Sequence, residues 1–127
     1  MSSGNQRSAV VIGGASGIGW ATARALAAQG DRVTVADLNA DRAHSRAAEL
    51  GAPHTAAAVD VTDEDSVLRL FEQTGPVDIV VNCAGFSNVG LITDMPVDQF
   101  RNVIDVCLTG AFIVAKHAGR ARAPRPG

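Results

Sequence analysis

Short, nearly continuous apolar runs alternate along the chain with segments whose apolar residues recur at helical spacing. Such runs are typical of strands that are buried on both faces of a sheet. They predict four strands, over residues 9–12, 32–36, 56–59 and 77–81. The other segments predict helices that begin near Gly17, after Asn39 and after a capping box at residues 62–65, and a long apolar helix with Pro96 in its first turn.

This alternation predicts an α/β fold of the Rossmann type, which is a doubly wound parallel sheet with helices on both faces. We expect the strand order 3-2-1-4 and a sheet that is truncated after the fourth strand and the long helix. A chain of 127 residues forms one domain at most. We assign it to residues 1–118, and we predict a disordered tail over 119–127, where GRARAPRPG has no apolar period and contains two prolines.

Composition and charge exclude several kinds of partner. The net charge is −2 and no basic stripe is present, so we expect binding neither to nucleic acid nor to an anionic membrane. Apolar runs fall short of the roughly 20 residues that a membrane helix needs. The two cysteines, Cys83 and Cys107, and the three histidines fit neither a disulfide framework nor a metal site. A cytoplasmic location is the resulting expectation.

A glycine-rich turn joins the first predicted strand to the first helix. Gly13, Gly17 and Gly19 permit a tight turn, close approach of the backbone to a pyrophosphate, and close packing of helix on strand. The N-terminus of the helix then offers N–H groups to the anion, and Ser16 adds a hydroxyl donor. Taken alone, the pattern is also compatible with a tight turn that binds no ligand.

Asp37 ends the second predicted strand. An acid that binds the adenosine ribose typically lies about 20 residues after the glycines, and Asp37 lies close to that spacing. Its carboxylate would accept hydrogen bonds from both ribose hydroxyls and would repel the additional phosphate of NADP. No Arg or Lys lies in the glycine turn or directly after Asp37. The sequence therefore favours NAD over NADP, although a solvated aspartate at a strand end is the simpler alternative.

Four motifs together resemble the short-chain dehydrogenases/reductases over about residues 8–118: the turn 13–19, Asp37, Asp60-Val61, and Asn82-Cys83-Ala84-Gly85. The resemblance implies that Asp60 accepts from the adenine amino group, that the Val61 backbone contacts the ring, and that the last motif lines the cofactor cleft. Asp60 is equally compatible with a turn that precedes a helix. The predicted dinucleotide-binding residues are Gly13, Ser16, Gly17, Ile18, Gly19, Asp37, Leu38, Asp60, Val61, Asn82, Ala84 and Gly85.

The chain also departs from the family pattern. Cys83 replaces an asparagine, and Cys107 stands where the family has the asparagine of its proton relay; we interpret both cysteines as packing residues. The family's catalytic serine, tyrosine and lysine follow the long helix, whereas this chain contains no tyrosine and one lysine, Lys116. We therefore predict no catalytic residue, and a frameshift in GC-rich coding sequence would account for the composition of the tail.

Two functions follow. The chain is either the NAD-binding portion of an oxidoreductase that transfers hydride between NAD and an alcohol or ketone, or an inactive fragment or nucleotide-binding module. The long helix and the fourth strand would expose apolar surface, since the elements that cover them in the family are not in this sequence. We therefore expect self-association or aggregation.

Overall fold

A four-stranded parallel sheet in the order β3-β2-β1-β4 forms the centre of the computed structural model, which describes residues 6–124. This is the predicted α/β architecture, with the predicted strand order. The elements up to the last strand are β1 (Ser8–Ile12), α1 (Gly17–Ala28), β2 (Arg32–Asp37), α2 (Ala40–Leu50), β3 (Thr55–Ala58), α3 (Glu64–Thr74) and β4 (Ile79–Asn82).

The side chains of the central strand β1 divide the core into two layers. Ala9 and Val11 point to one face of the sheet, where they join a cluster that includes Trp20 of α1. Val10 and Ile12 point to the other face and pack in the cluster formed with α3 and the last helix. All four strand residues are almost fully buried, as the continuous apolar run predicts, because alternate side chains of a strand leave opposite faces.

The caps of the helices follow the prediction at α2 and differ from it at α3. The side chain of Asn39 accepts a hydrogen bond from the Arg42 N–H and caps α2. The predicted capping box at 62–65 is wrong by one residue, since Asp63 is the N-cap of α3 and accepts from the Asp65 N–H. The Thr62 hydroxyl is already occupied, because it donates to the Asp60 carboxylate at 2.7 Å.

The predicted long helix is a helical segment with a wider turn in its middle. It comprises α4 (Val97–Ile104), a π-helical turn (Asp105–Thr109) and α5 (Gly110–Arg120). Pro96 precedes the first helical residue of α4 as its N-cap. Within residues 6–124, none of the helices combines the length and apolar character that a membrane crossing demands.

Helix α5 and the backbone pairing that follows it extend into the first residues of the segment 119–127. Helix α5 continues past residue 118 to Arg120. The backbone of Val77 then donates to the Ala121 carbonyl at 2.9 Å and accepts from the Ala123 N–H at 2.8 Å. This pairing satisfies backbone groups of Val77 at the edge of the sheet. Val77 lies outside the ladder between β4 and β1, which begins at Ile79. Residues 125–127 of the predicted tail lie outside the described part of the chain.

Candidate functional site

A cleft of about 610 Å³ opens where the carboxyl ends of the parallel strands meet. The chain passes from β1 to β2 and β3 on one side and then crosses back to β4 on the other side of β1, so the strand order reverses at β1. Ligands of open α/β sheets bind at such a switch point. Residues that follow each of the strands contribute to the cleft, and α4 and the π-helical turn add Asn102 and Val106.

Most of the predicted binding residues lie together in this cleft. Those that line it are Gly13, Ser16, Ile18, Gly19, Asp37, Leu38, Asp60, Val61, Ala84 and Gly85. Gly17 and Asn82 are not among the lining residues. Gly17 provides a positive φ of 56° within the turn, and the side chain of Asn82 accepts from the Ala84 N–H at 3.0 Å and so braces the backbone after β4.

Sequence reasoning missed several lining residues, which are Ile12, Val59, Thr62, Phe86, Asn102 and Val106. Ile12 and Val59 immediately precede predicted positions. Their places at the ends of predicted strands could therefore have identified them. Asn102 and Val106 are four residues apart and share one helical face, but nothing local indicates which neighbour that face meets.

The glycine turn packs so closely that side chains are excluded from two of its positions. Gly13 has φ +73°, and a Cβ there would lie 2.8 Å from the Cys83 carbonyl carbon. A Cβ on Gly19 would collide with the Gly13 carbonyl oxygen and lie 2.7 Å from its carbon. The N–H groups of Gly13 and Gly14 both donate to the Ala36 carbonyl, at 2.8 and 3.1 Å. The backbone itself is therefore the wall of the cleft at this point.

Helix α1 begins at this turn with its N-terminus at the cleft. Ser16 is the N-cap residue, it lines the cleft, and its side chain makes no capping hydrogen bond. The hydroxyl is therefore not committed to the helix. A helix N-terminus carries partial positive charge and N–H donors, which suit a phosphate group.

Asp37 is held in a fixed orientation at the rim of the cleft. One carboxylate oxygen accepts from the Ala15 N–H at 3.1 Å, and the other accepts from the Asn39 N–H at 3.0 Å. These two contacts fix the carboxylate beside the glycine turn. Each carboxylate oxygen can accept a second hydrogen bond, so the contacts leave capacity for two hydroxyl donors of a ligand.

Exposed apolar side chains border the same part of the cleft. Ile18 is 80% exposed and Leu38 is 75% exposed, although both line a concave site. Between them and Val61, a flat apolar ring would be covered on two sides. Asp60, which precedes Val61 and also lines the cleft, accepts hydrogen bonds from both the N–H and the hydroxyl of Thr62. The turn role of Asp60 is thus present, and its remaining acceptor capacity faces a cleft.

The two cysteines lie near the cleft. Cys83 is partly buried and lines it, whereas Cys107 is exposed. The interpretation of Cys107 as a core residue is wrong: its thiol donates to the Phe86 carbonyl at 3.4 Å. Its neighbours Asp105, Leu108 and Thr109 in the π-helical turn are exposed as well, because little of the described chain packs over this turn. Among residues 6–124, no three potential metal ligands lie close enough to hold an ion.

Comparisons with known proteins agree with this geometry. The family model for short chain dehydrogenases matches residues 7–123. The uncharacterized oxidoreductase YxjF of Bacillus subtilis (strain 168) is 41% identical over 116 residues, which are 86% of this chain and 45% of that protein. The 2-dehydro-3-deoxy-L-rhamnonate dehydrogenase (NAD(+)) of Sphingomonas sp. (strain SKA58) is 38% identical over 111 residues, which are 84% of this chain and 44% of that enzyme.

Solved structures give the same result. A short-chain type dehydrogenase/reductase from Mycobacterium ulcerans superposes with a TM-score of 0.82 at 34% identity, over 91% of this chain and 46% of that chain. The chain thus spans about half the length of the curated relatives that it matches.

Proposed function

Because the chain belongs to the short chain dehydrogenase family, we propose that it is the NAD-binding portion of an oxidoreductase acting on an alcohol or ketone. The family binds nicotinamide dinucleotides. The observation that carries the proposal is the cleft, which brings the glycine turn, the N-terminus of α1 and the Asp37 carboxylate to one place. Those are the parts that a pyrophosphate and a ribose require.

The residues of the cleft fit a dinucleotide. Gly13 and Gly19 let the turn pack against neighbouring backbone, which brings the N-terminus of α1 to the cleft. A pyrophosphate would be held there by N–H groups of the first turn of α1 and by the Ser16 hydroxyl. Asp37 would hold the adenosine ribose, and Leu38 and Val61 would flank the adenine. The bound nicotinamide supplies hydride transfer. The part of this chain is to bind and orient the dinucleotide.

We propose further that NAD is preferred to NADP, because Asp37 carries negative charge at the ribose position. Charges about 5 Å apart repel by about 1 kcal/mol in water and by about 3 kcal/mol at an effective dielectric of about 20. The expected preference is therefore about 5-fold to about 140-fold, since about 1.4 kcal/mol corresponds to a factor of ten. The name of the Sphingomonas relative specifies NAD(+), which supports this choice.

A second candidate function is a nucleotide-binding module without catalysis of its own. The observation that favours it is the absence of tyrosine from the 127 residues, since the resemblance assigns the proton transfer to a tyrosine. We also propose a cytoplasmic location, which the free thiols of Cys83 and Cys107 support, because reducing compartments keep thiols unpaired. Self-association through the long helix and β4 is part of the same proposal.

The test of the proposal is calorimetric titration of the chain with NAD and with NADP. We expect the unmodified chain to bind NAD at least about fivefold more tightly than NADP, which is the lower end of the Coulomb estimate. Asp37→Asn removes the charge and keeps one acceptor oxygen, so it should bring the two affinities within about threefold of each other. Asp41→Asn is the matched control, because Asp41 is an exposed acid in the first turn of α2 and does not line the cleft.

Equal affinities for NAD and NADP in the unmodified chain would contradict the role of Asp37. Failure to bind NAD at millimolar concentration would overturn the proposed function altogether. A loss of preference in Asp41→Asn equal to that in Asp37→Asn would show that net charge, and not the ribose contact, controls selectivity.

A further inference from the structure

The peptide that follows Ala15 is fixed by a side chain from a distant helix. Ala15 is fully buried in the middle of the glycine turn. Its N–H donates to Asp37, and its carbonyl oxygen accepts from Arg46 Nε at 3.0 Å. Arg46 belongs to α2 and lies 31 residues away in sequence. Both polar groups of Ala15 are therefore bound by charged side chains.

Arg46 is itself held in place by two further contacts. Its guanidinium carbon lies 4.6 Å from the centroid of the Trp20 ring, and its NH1 group pairs with Glu49 at 3.0 Å. Trp20 is a nearly buried residue of α1. The planar guanidinium can stack on the indole while its Nε points at the carbonyl, which a lysine cannot do equally well. The two helices and the glycine turn thus meet at one cation.

The direction of the next N–H group depends on this contact. A trans peptide is planar, so its carbonyl oxygen and the following N–H point in opposite directions. With the Ala15 oxygen directed at Arg46, the Ser16 N–H is directed away from α2. Ser16 lines the cleft, whereas Arg46 is not among the lining residues. Rotation of this peptide would instead turn a carbonyl oxygen toward an anionic ligand.

We propose that Arg46, seated on Trp20, is a positioning residue that keeps the Ala15–Ser16 peptide oriented for dinucleotide phosphate. It acts through Ala15 and touches no part of the ligand. The expected effect on NAD binding rests on the proposed function. The orientation of the peptide itself is a property of the chain without ligand, and it can be measured separately.

Arg46→Met tests the proposal, because methionine keeps an apolar chain over Trp20 and removes the donor. Arg42→Met is the matched control on the same helix. Arg42 is exposed, its backbone N–H donates to Asn39, and its side chain makes no hydrogen bond or ion pair within the described residues. We expect Arg46→Met to weaken NAD binding about tenfold, the usual effect of one charge-assisted hydrogen bond, and Arg46→Lys to recover part of the loss. Arg42→Met should bind NAD as the unmodified chain does.

The second readout is amide hydrogen exchange at Ala15 in the chain without ligand, because this N–H is buried and donates to Asp37. Without the bond from Arg46 to its carbonyl, Ala15 should move more freely, so its exchange should be faster in Arg46→Met than in the unmodified chain and unchanged in Arg42→Met, while amides of β1 keep their protection. If the unmodified chain does not bind NAD, the proposed function fails and exchange at Ala15 still decides this inference. Unchanged exchange at Ala15, or NAD affinity of Arg46→Met within about twofold of the unmodified chain, would overturn it. If Arg46→Met does not fold, Arg46→Lys is judged by the same two readouts.

Discussion

Replacement of Gly19 by alanine is the sharpest single test of how the glycine turn is packed. A Cβ at this position would collide with the Gly13 carbonyl oxygen and would lie 2.7 Å from its carbon and 3.0 Å from the Gly14 Cα. All three atoms are backbone, so no side-chain rotation can relieve the contact. The turn itself would have to move away from α1.

The magnitude follows from two opposing terms. Gly19 lies within α1 and has no positive φ, so alanine should gain about 1 kcal/mol of helix propensity. Overpacking costs about 1–3 kcal/mol, and a collision with backbone belongs at the upper end. We therefore expect the free energy of unfolding to fall by about 2 kcal/mol. NAD binding should weaken as well, because the same atoms form the wall of the cleft.

Gly119→Ala is the matched control for this substitution. Gly119 also lies in a helix, α5, without positive φ, but nothing lies within 4 Å of the position of its Cβ. The propensity gain remains and the collision is absent, so this variant should be more stable than the unmodified chain by up to about 1 kcal/mol. The two substitutions are thus expected to change stability in opposite directions.

The assay is urea unfolding followed by tryptophan fluorescence. Trp20 is the only tryptophan of the chain, and it packs in the cluster that α1 forms on the sheet. Its emission therefore reports on the region under test. If Gly19→Ala proved as stable as Gly119→Ala, the close approach of α1 to the glycine turn would be refuted.

Three further predictions concern stability, turnover and association. Hydrogen bonds from Lys116 and then from His117 to one oxygen of Glu64, at 2.7 and 2.8 Å, hold the pKa of Glu64 below its ordinary value of 4.5. The resulting stabilisation is complete above that value and is lost as the pH falls through the lower pKa of the folded chain. In urea titrations at a series of pH values, the free energy of unfolding of Glu64→Gln should therefore fall less on acidification than that of the unmodified chain. The isolated chain should form no NADH from secondary alcohols above a blank, because general acid–base catalysis alone supplies about 10²–10⁴-fold; activity that survives repurification would contradict this. Leu108 and Phe112 are 65% and 66% exposed, so replacing both by serine should lower the mass seen by light scattering, and a monodisperse monomer of the unmodified chain would refute the expected association.

The elements of this fold were predictable because their signals are local. The continuous apolar run of β1 and the cap at Asn39 each reflect residues close in sequence, and the structure confirms both. The position of Asp37 at the end of a strand beside the glycine turn was predictable for the same reason. Parallel strands then bring these separate ends to one edge of the sheet.

The remaining features depend on contacts made through space. The bond between Arg46 and Ala15 joins residues far apart in sequence, so neither residue carries a signal for it. The exposure of Cys107 depends on what packs over the π-helical turn, which the local apolar pattern does not specify. The N-cap of α3 moved from Thr62 to Asp63 because the Thr62 hydroxyl serves Asp60, a choice between neighbouring polar residues that a motif does not settle.

The pairing of Val77 with the segment after α5 has a consequence for the exposed margin of the sheet. In a parallel ladder, the backbone groups of alternate residues point to opposite sides. Ala121 and Ala123 use theirs toward Val77, so those of Arg122 and Pro124 point outward. Proline has no N–H to offer a further strand. Of residues 121–124, Arg122 alone therefore has an N–H that points outward, and Pro124 makes this corner of the sheet a poor template for pairing with another chain.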